Sequence, residues 1–361
     1  MNAQIIETGI AASRPKQMYG WPGITKAANG DILVVASERK YHVCPYGREV
    51  VIRSKDNGHR WELPQEVYNS CLDDRDVNII TLPDGTLLLS WFTSTFFELI
   101  VPEWRGRLND DARKHYSGSW MLFSKDNGYT WSKDPVRMPV GRRISPFYFS
   151  DGSLVAIAIN HCDEEEKELA AWRSHDMGIT WEKTWIFDCP KSMGGSEGAQ
   201  EVPVLNENHA LEVSPGKIVA LFRSMDNYLY QSDSEDYGRT WMKPRKLDIW
   251  GLPPHVLKLS DGRILCVYGY RRKPFSIRGV LSHDNGNTWD TSNIITLHQW
   301  EDEPDMGYPI SIETNPGEVL TIFYCSRTNA PGSDCPYEPW SNNAAPENGS
   351  PEGILYLKYR I

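Results

Sequence analysis

Apolar and polar positions alternate along this chain in short runs, broken by Gly, Asn, Asp and Pro. Six segments share one form: a strand enters a D/N/P-G turn and leaves as a more continuously apolar strand. They are WPGITKAANGDILVV (21–35), DVNIITLPDGTLLLSWF (76–92), RISPFYFSDGSLVAIAI (143–159), ENHALEVSPGKIVALF (207–222), PPHVLKLSDGRILCVYG (253–269) and YPISIETNPGEVLTIFY (308–324). Alternation around such a turn predicts a β-hairpin. The turn residues Gly30, Gly85, Gly152, Gly216, Gly262 and Gly317 supply positive φ there. Long amphipathic helical stretches are hard to find, so an all-β chain of short strands is expected.

A second repeat runs in phase with the first. The octapeptide S-x-D-x-G-x-[TR]-W recurs as SKDNGHRW (54–61), SKDNGYTW (124–131), SHDMGITW (174–181), SEDYGRTW (234–241) and SHDNGNTW (282–289). Its Asp can accept hydrogen bonds from turn amides, and its Trp can pin the turn onto neighbouring strands. The starts are 70, 50, 60 and 48 residues apart, close to the roughly 40–50 residues of a four-stranded propeller blade. Six hairpin units, five with a box, predict a six-bladed β-propeller of four-stranded antiparallel blades forming one domain over 1–361. The sixth unit ends in the strand 354–359. The N-terminal strand around Gln4–Thr8 is expected to supply its missing outer strand and close the ring.

Composition narrows the function. Of 361 residues, 40% are hydrophobic and 24% charged, which is globular. No apolar run approaches the roughly 20 residues of a membrane helix. A net charge of −10 without a basic block speaks against nucleic acid or an anionic membrane as partner. Seven scattered cysteines, with no CxxC and no Cys/His cluster, give no disulfide framework and no metal site. No cofactor is expected. The N-terminus has no basic start followed by an apolar core, so a cytoplasmic location is expected, or a secreted one if a leader has been trimmed. Oligomeric state has no handle here.

In a propeller the innermost strand of each blade lines a central channel. Nine residues before each turn glycine stand Trp21, Asp76, Arg143, Glu207, Pro253 and Tyr308, with Arg75, Arg142, His209 and His255 beside them. Channel-lining polar groups paired with one another would give such a ring, and so would a site.

The combination resembles the sialidase (neuraminidase) superfamily, where the octapeptide is the Asp-box, also called the BNR repeat. There the boxes sit on outer hairpins away from the active site. N-E-N-H-A-L-E-V (206–213) is similar to that family's N-E-x-x-x-x-E-L strand, and Arg223 follows sixteen residues after Glu207. Tyr308-Pro309-Ile310 through Gly317 is similar to its Y-S-x-L…D-G strand. The resemblance implies Tyr308 as nucleophile, Glu207 as its base, and Arg223 as a ligand of the substrate carboxylate. Arg278 and Arg271 compete for the place of a further triad arginine. The chemistry is coherent, because a phenol is a poor nucleophile until a carboxylate takes its proton. A neutral Tyr–Glu pair also avoids repelling an acidic sugar, and arginines hold a carboxylate bidentately.

Two positions depart from that pattern. Gly20 stands where the family's first carboxylate arginine is expected, and Arg14 is too far upstream to replace it. The blade-one loop that carries the family's acid has no Asp between Asp31 and Asp56, so its donor is His42 or Glu38. Asp73-Asp74-Arg75-Asp76 brings an arginine between carboxylates to the mouth of blade two. Insertions at 96–115 and 329–351 could wall the site with Trp104 and Trp340. Further sugar contacts are expected from Arg75, Asp76, Arg143, His255 and Trp21. Three functions follow: a sialidase-like exo-glycosidase acting on a terminal acidic sugar of a glycan, a propeller-type polysaccharide lyase acting on uronic-acid glycans, and a non-catalytic carbohydrate-binding propeller.

Overall fold

The computed structural model describes residues 3–15, 17–40, 42–70, 72–139, 146–159, 168–188, 203–301, 305–326 and 352–361. Their strands form six four-stranded antiparallel sheets, the blades of a propeller. Blade one runs from its inner strand Met18–Lys26 through Ile32–Arg39 and Arg48–Ser54 to Gln65–Tyr68. Blades two to five repeat the order, with inner strands Asp73–Thr81, Pro146–Tyr148, Leu205–Ser214 and Pro254–Lys258. In blade six, Asp305–Asn315, Glu318–Ser326 and Gly353–Arg360 are completed by Gln4–Ala12 from the N-terminus, in register from Gln4 against Arg360 to Ala12 against Ile354. The expected closure is present and extends beyond Thr8.

Closure explains why the sixth box is missing. Each box follows the third strand of its blade and turns the chain into the fourth. In blade six those two strands come from opposite ends of the chain, so no hairpin joins them.

The boxes are built as the octapeptide predicts. Ser124 Oγ donates to Asp126 Oδ1 at 2.8 Å and accepts the Gly128 amide at 2.8 Å. Asp126 Oδ1 also accepts the amides of Tyr129 and Thr130, at 3.1 and 2.8 Å. Positive φ extends one residue further than the glycine alone, to Asn57, Asn127, Met177, Tyr237 and Asn285. Each box tryptophan then packs into a different seam between blades: Trp61, Trp131, Trp181, Trp241 and Trp289 join five separate apolar clusters. A sixth cluster fills the seam between blades five and six. The core is therefore a ring of seams, which leaves the centre open for polar groups.

The insertion before the second box folds into a short helix, α1 (Phe97–Ile100), a 3-10 turn (Pro102–Trp104) and a second helix, α2 (Asp110–Tyr116). Phe97 and Val101 form a small apolar cluster with Leu72, against which Val43, Trp104 and Leu108 pack. Trp104 meets Phe97 edge-on at 5.3 Å and Tyr46 at 6.4 Å. Trp104 thus braces the loop that carries His42. Trp340 and the insertion at 329–351 lie outside the described residues. Among the described residues no helix is long and apolar enough to cross a membrane.

Candidate active site

The inner strands of blades one, two, four and six each slip register where they reach the ring. The slips fall between Gly20 and Gly23, Arg75 and Asn78, Leu205 and Asn208, and Gly307 and Ile310. A bulge takes residues off the ladder and re-aims a side chain. Trp21, Asp76 and Tyr308 sit in three of these bulges with φ of 50°, 56° and 53°. A residue with a β-carbon takes that conformation at a cost of about 1 kcal/mol or more, and such strain concentrates at functional sites. These three line one pocket with Glu207, Asn208, His209, Pro253 and His255.

Within the pocket the Tyr308 hydroxyl donates to Glu207 Oε1 at 2.6 Å. Arg223 Nη1 donates to Glu207 Oε2 at 2.8 Å and lies 3.4 Å from the Tyr308 oxygen. Burial alone would lower the basicity of the Arg223 guanidinium, but Glu207 and Tyr308 more than offset this and raise it further above the usual range.

A second network adjoins the first. Tyr324 Oη donates to Asp305 Oδ1 at 2.6 Å, and His42 Nδ1 lies 2.9 Å from Asp305 Oδ2. Arg271 bonds the Met306 carbonyl through Nε at 2.9 Å, and its Nη2 approaches Tyr324 Oη at 3.3 Å and Asp305 at 3.7 Å. The networks touch through aromatic rings. Trp21 meets His42 edge-on at 5.1 Å and Tyr308 at 6.4 Å, and Tyr308 and Tyr324 are 5.6 Å apart.

Arginines also flank Trp21. The guanidinium carbons of Arg75 and Arg39 lie 4.3 and 4.7 Å from its ring centroid. Both arginines pair with Asp73, Arg39 at 2.6 Å and Arg75 at 3.3 Å. With Gly20 bearing no side chain, positive charge reaches this corner from Arg39 on the second strand of the same blade and from Arg75 on the neighbouring one. Asp74 and Glu49 lie behind it, fully buried. Burial pushes the Asp74 carboxyl up to about 6 against the pull of its bonds to Ser70 and Thr93. Burial also pushes Glu49 well up, and the charge of Asp74 adds to the effect.

Of the residues singled out from sequence, Tyr308, Glu207 and Arg223 form one hydrogen-bonded group. His42 and Arg271 meet on Asp305. Trp21, Asp76 and His255 line the pocket, and Arg75 stacks on Trp21. Arg278 goes elsewhere: it lies on the third strand of blade five, bonds Ser276 at 2.9 Å and stacks on Tyr270 at 3.4 Å. Arg143 and Arg142 lie outside the described residues. Glu38 is held in ion pairs with Arg14 and Arg48, at 3.3 and 3.2 Å, whereas His42 reaches the Asp305 network. Asp305, Tyr324 and Arg39 were not singled out. For Asp305 the one available signal is its place three residues before Tyr308 on the same strand. Among the described residues no group of three or more His, Cys, Asp or Glu is arranged to hold a metal ion.

The BNR repeat-like domain model matches residues 2–210 and 198–321. No curated protein sequence matches significantly. Among solved structures, a Dyadobacter fermentans protein of unknown function superposes with a TM-score of 0.75 at 21% identity, covering 99% of both chains. The intramolecular trans-sialidase from Ruminococcus gnavus gives a TM-score of 0.64 at 13% identity, covering 98% of this chain and 96% of its own. The NanB sialidase from Streptococcus pneumoniae gives 0.65 at 13% identity, covering 97% and 70%. At these identities the likeness is one of fold.

Proposed function

The chain belongs to the BNR repeat-like domain family, and from that premise we propose that it is a retaining exo-glycosidase acting on a terminal acidic sugar of a glycan. Tyr308 attacks the anomeric carbon while Glu207 takes its phenolic proton. His42 protonates the departing glycosidic oxygen. Water then enters, gives a proton to His42 and attacks the anomeric carbon, breaking its bond to the tyrosine oxygen. The tyrosine leaves and recovers its proton from Glu207, so atoms and charge return to the start. Arg223, Arg271 and Arg75 hold the acidic group, and Trp21 and Asp76 shape the sugar's seat.

The observation that carries this reading is the 2.6 Å bond from Tyr308 to Glu207. A phenol becomes nucleophilic when a positioned carboxylate takes its proton, and Tyr308 has that partner. The counter-charge of Arg223 is already in place on the other carboxylate oxygen. A lyase, which abstracts a proton next to a uronate, has no need of this pair, nor does a binding module.

The test is kinetic. Tyr308→Phe and Glu207→Gln should each nearly abolish hydrolysis of the best glycoside while leaving binding largely intact. An unsaturated product absorbing near 235 nm would move the assignment to the lyase.

A further inference from the structure

Among the described residues, the pocket that holds the Tyr308–Glu207 pair has no arginine in its lining. That lining includes Asn208, His209 and His255. The two imidazoles are 4.0 Å apart, centroid to centroid, and inclined by 49°. His209 Nδ1 accepts the Val256 amide at 3.3 Å, which puts the proton of the neutral ring on Nε2. His255 is only 7% exposed. Burial pushes His209 down to about 3 and His255 well below its usual range, the nearby His209 adding to the effect. Both rings are therefore neutral in ordinary buffers.

Two polar atoms on this wall are buried without a hydrogen-bond partner among the described residues: His255 Nδ1 and Asn208 Oδ1. Asn208 is oriented by its other end, Nδ2, which donates to the Ile157 carbonyl at 2.9 Å. Its Oδ1 is an acceptor only, whereas His255 Nδ1 can donate or accept according to tautomer. An unpaired buried polar atom is costly, and the cost is recovered when a ligand supplies the partner. A carboxylate finds no counter-charge here, and a methyl group would leave both atoms unpaired. A hydroxyl, which donates once and accepts, suits both.

We propose that His255 and Asn208, braced by His209, form a subsite for one hydroxyl group of the bound sugar, separate from the arginines that hold its acidic group. The inference rests on the proposed function only in placing a sugar in the pocket. It makes the substrate an acidic sugar selected at two ends: by charge at the arginines and by a neutral hydroxyl at the histidine wall. A site built to bond a hydroxyl discriminates against the analogue that lacks it.

The test is binding, kept apart from turnover. Calorimetric titration of the Tyr308→Phe protein with N-acetylneuraminic acid, D-glucuronic acid and D-galactose identifies the best ligand. Its single-deoxy analogues are then titrated into that protein and into one also carrying His255→Phe, which keeps the ring and removes its nitrogens. His255→Phe should weaken the parent sugar about 10- to 100-fold and leave one deoxy analogue unaffected. The deoxy series on the protein with its histidine intact makes the same comparison should the substitution disturb folding: one analogue should bind about 10- to 100-fold more weakly than the rest. A uniform loss across the series, no loss at all, or no binding of any of the three sugars would overturn the subsite. Binding that depends on His255 but is never followed by turnover in the unmodified enzyme would remove the hydrolase reading and leave the subsite standing. Turnover lost in Tyr308→Phe, together with a flat deoxy series, would do the reverse.

Discussion

His42 Nδ1 lies 2.9 Å from Asp305 Oδ2, tying the loop between the second and third strands of blade one to the first strand of blade six. The same carboxylate accepts the Tyr324 hydroxyl and faces Arg271. Burial would raise the Asp305 carboxyl, but His42 and Arg271 outweigh it and hold the group below the usual carboxylate range. In the proposed mechanism Asp305 is a charged anchor that orients the imidazole, a positioning residue for the acid.

Asp305→Asn keeps the shape and removes the charge. The expected result is a fall in kcat of about 100-fold, within the range general acid catalysis contributes, with KM changed far less. The loss should be much smaller on an activated aryl glycoside, whose leaving group departs without needing a proton from the acid. An equal loss on activated and unactivated glycosides would reduce Asp305 to a structural role.

Trp104 should matter without touching substrate. It braces Tyr46 and Phe97, whose cluster also seats Val43 beside His42. Trp104→Ala should lower kcat by up to about 100-fold, since small misplacements of a catalytic group are expensive. The six blade seams and the melting temperature should change little. Full activity in a folded Trp104→Ala protein would show that the His42 loop holds itself.

Arg75 tests the acidic substrate. It stacks on Trp21 and pairs with Asp73 at 3.3 Å. Arg75→Ala should weaken the best acidic substrate about 10- to 100-fold, seen in kcat/KM, and leave a neutral glycoside untouched. The screen is sialosides beside uronic-acid and neutral glycosides. Equal losses on acidic and neutral substrates would contradict a charge contact.

Much of this architecture was legible in the sequence because the same devices recur. Counting back from the turn glycines reached Trp21, Asp76, Glu207 and Tyr308 although four inner strands are bulged. The bulge begins ten residues before the turn glycine in blades one, two and six and eleven before it in blade four, so the count still lands inside it. Choosing between Arg271 and Arg278 was not possible in the same way. Seven residues separate them, and only the strand boundaries show that Arg271 leaves the second strand beside Met306 while Arg278 sits one strand further out. Asp305 was missed because its partner His42 is 263 positions away, a distance no local pattern spans. The helices of the 96–115 insertion escaped notice because α1 and α2 span four and seven residues, too short for a helical period to register.

The boxes should act on stability and not on chemistry. In two of them the Asp carboxyls, Asp126 and Asp176, are held down at about 2, first by the hydroxyls of Thr130 and Thr180 and then by the backbone amides of the same residues. A carboxyl lowered by folding contributes stability above its unfolded value near 4, and the contribution is lost as pH falls through about 2. Asp126→Asn should therefore melt below the unmodified protein at pH 7, and the gap should narrow between about pH 4 and pH 2. Calorimetry at several pH values checks this, and turnover per folded molecule should be unchanged. A gap that stays constant to pH 2 would show that the charge contributes nothing.

The most direct measurement is covalent. A fluorinated glycosyl fluoride of the best substrate slows both steps and traps the intermediate of a retaining glycosidase. After exposure, peptide mass spectrometry should find one sugar attached at Tyr308, and Glu207→Gln should form that adduct far more slowly. Time-dependent inactivation with the label on another residue, or steady turnover by a protein whose Tyr308 has been replaced by Phe, would contradict the assignment of Tyr308 as nucleophile.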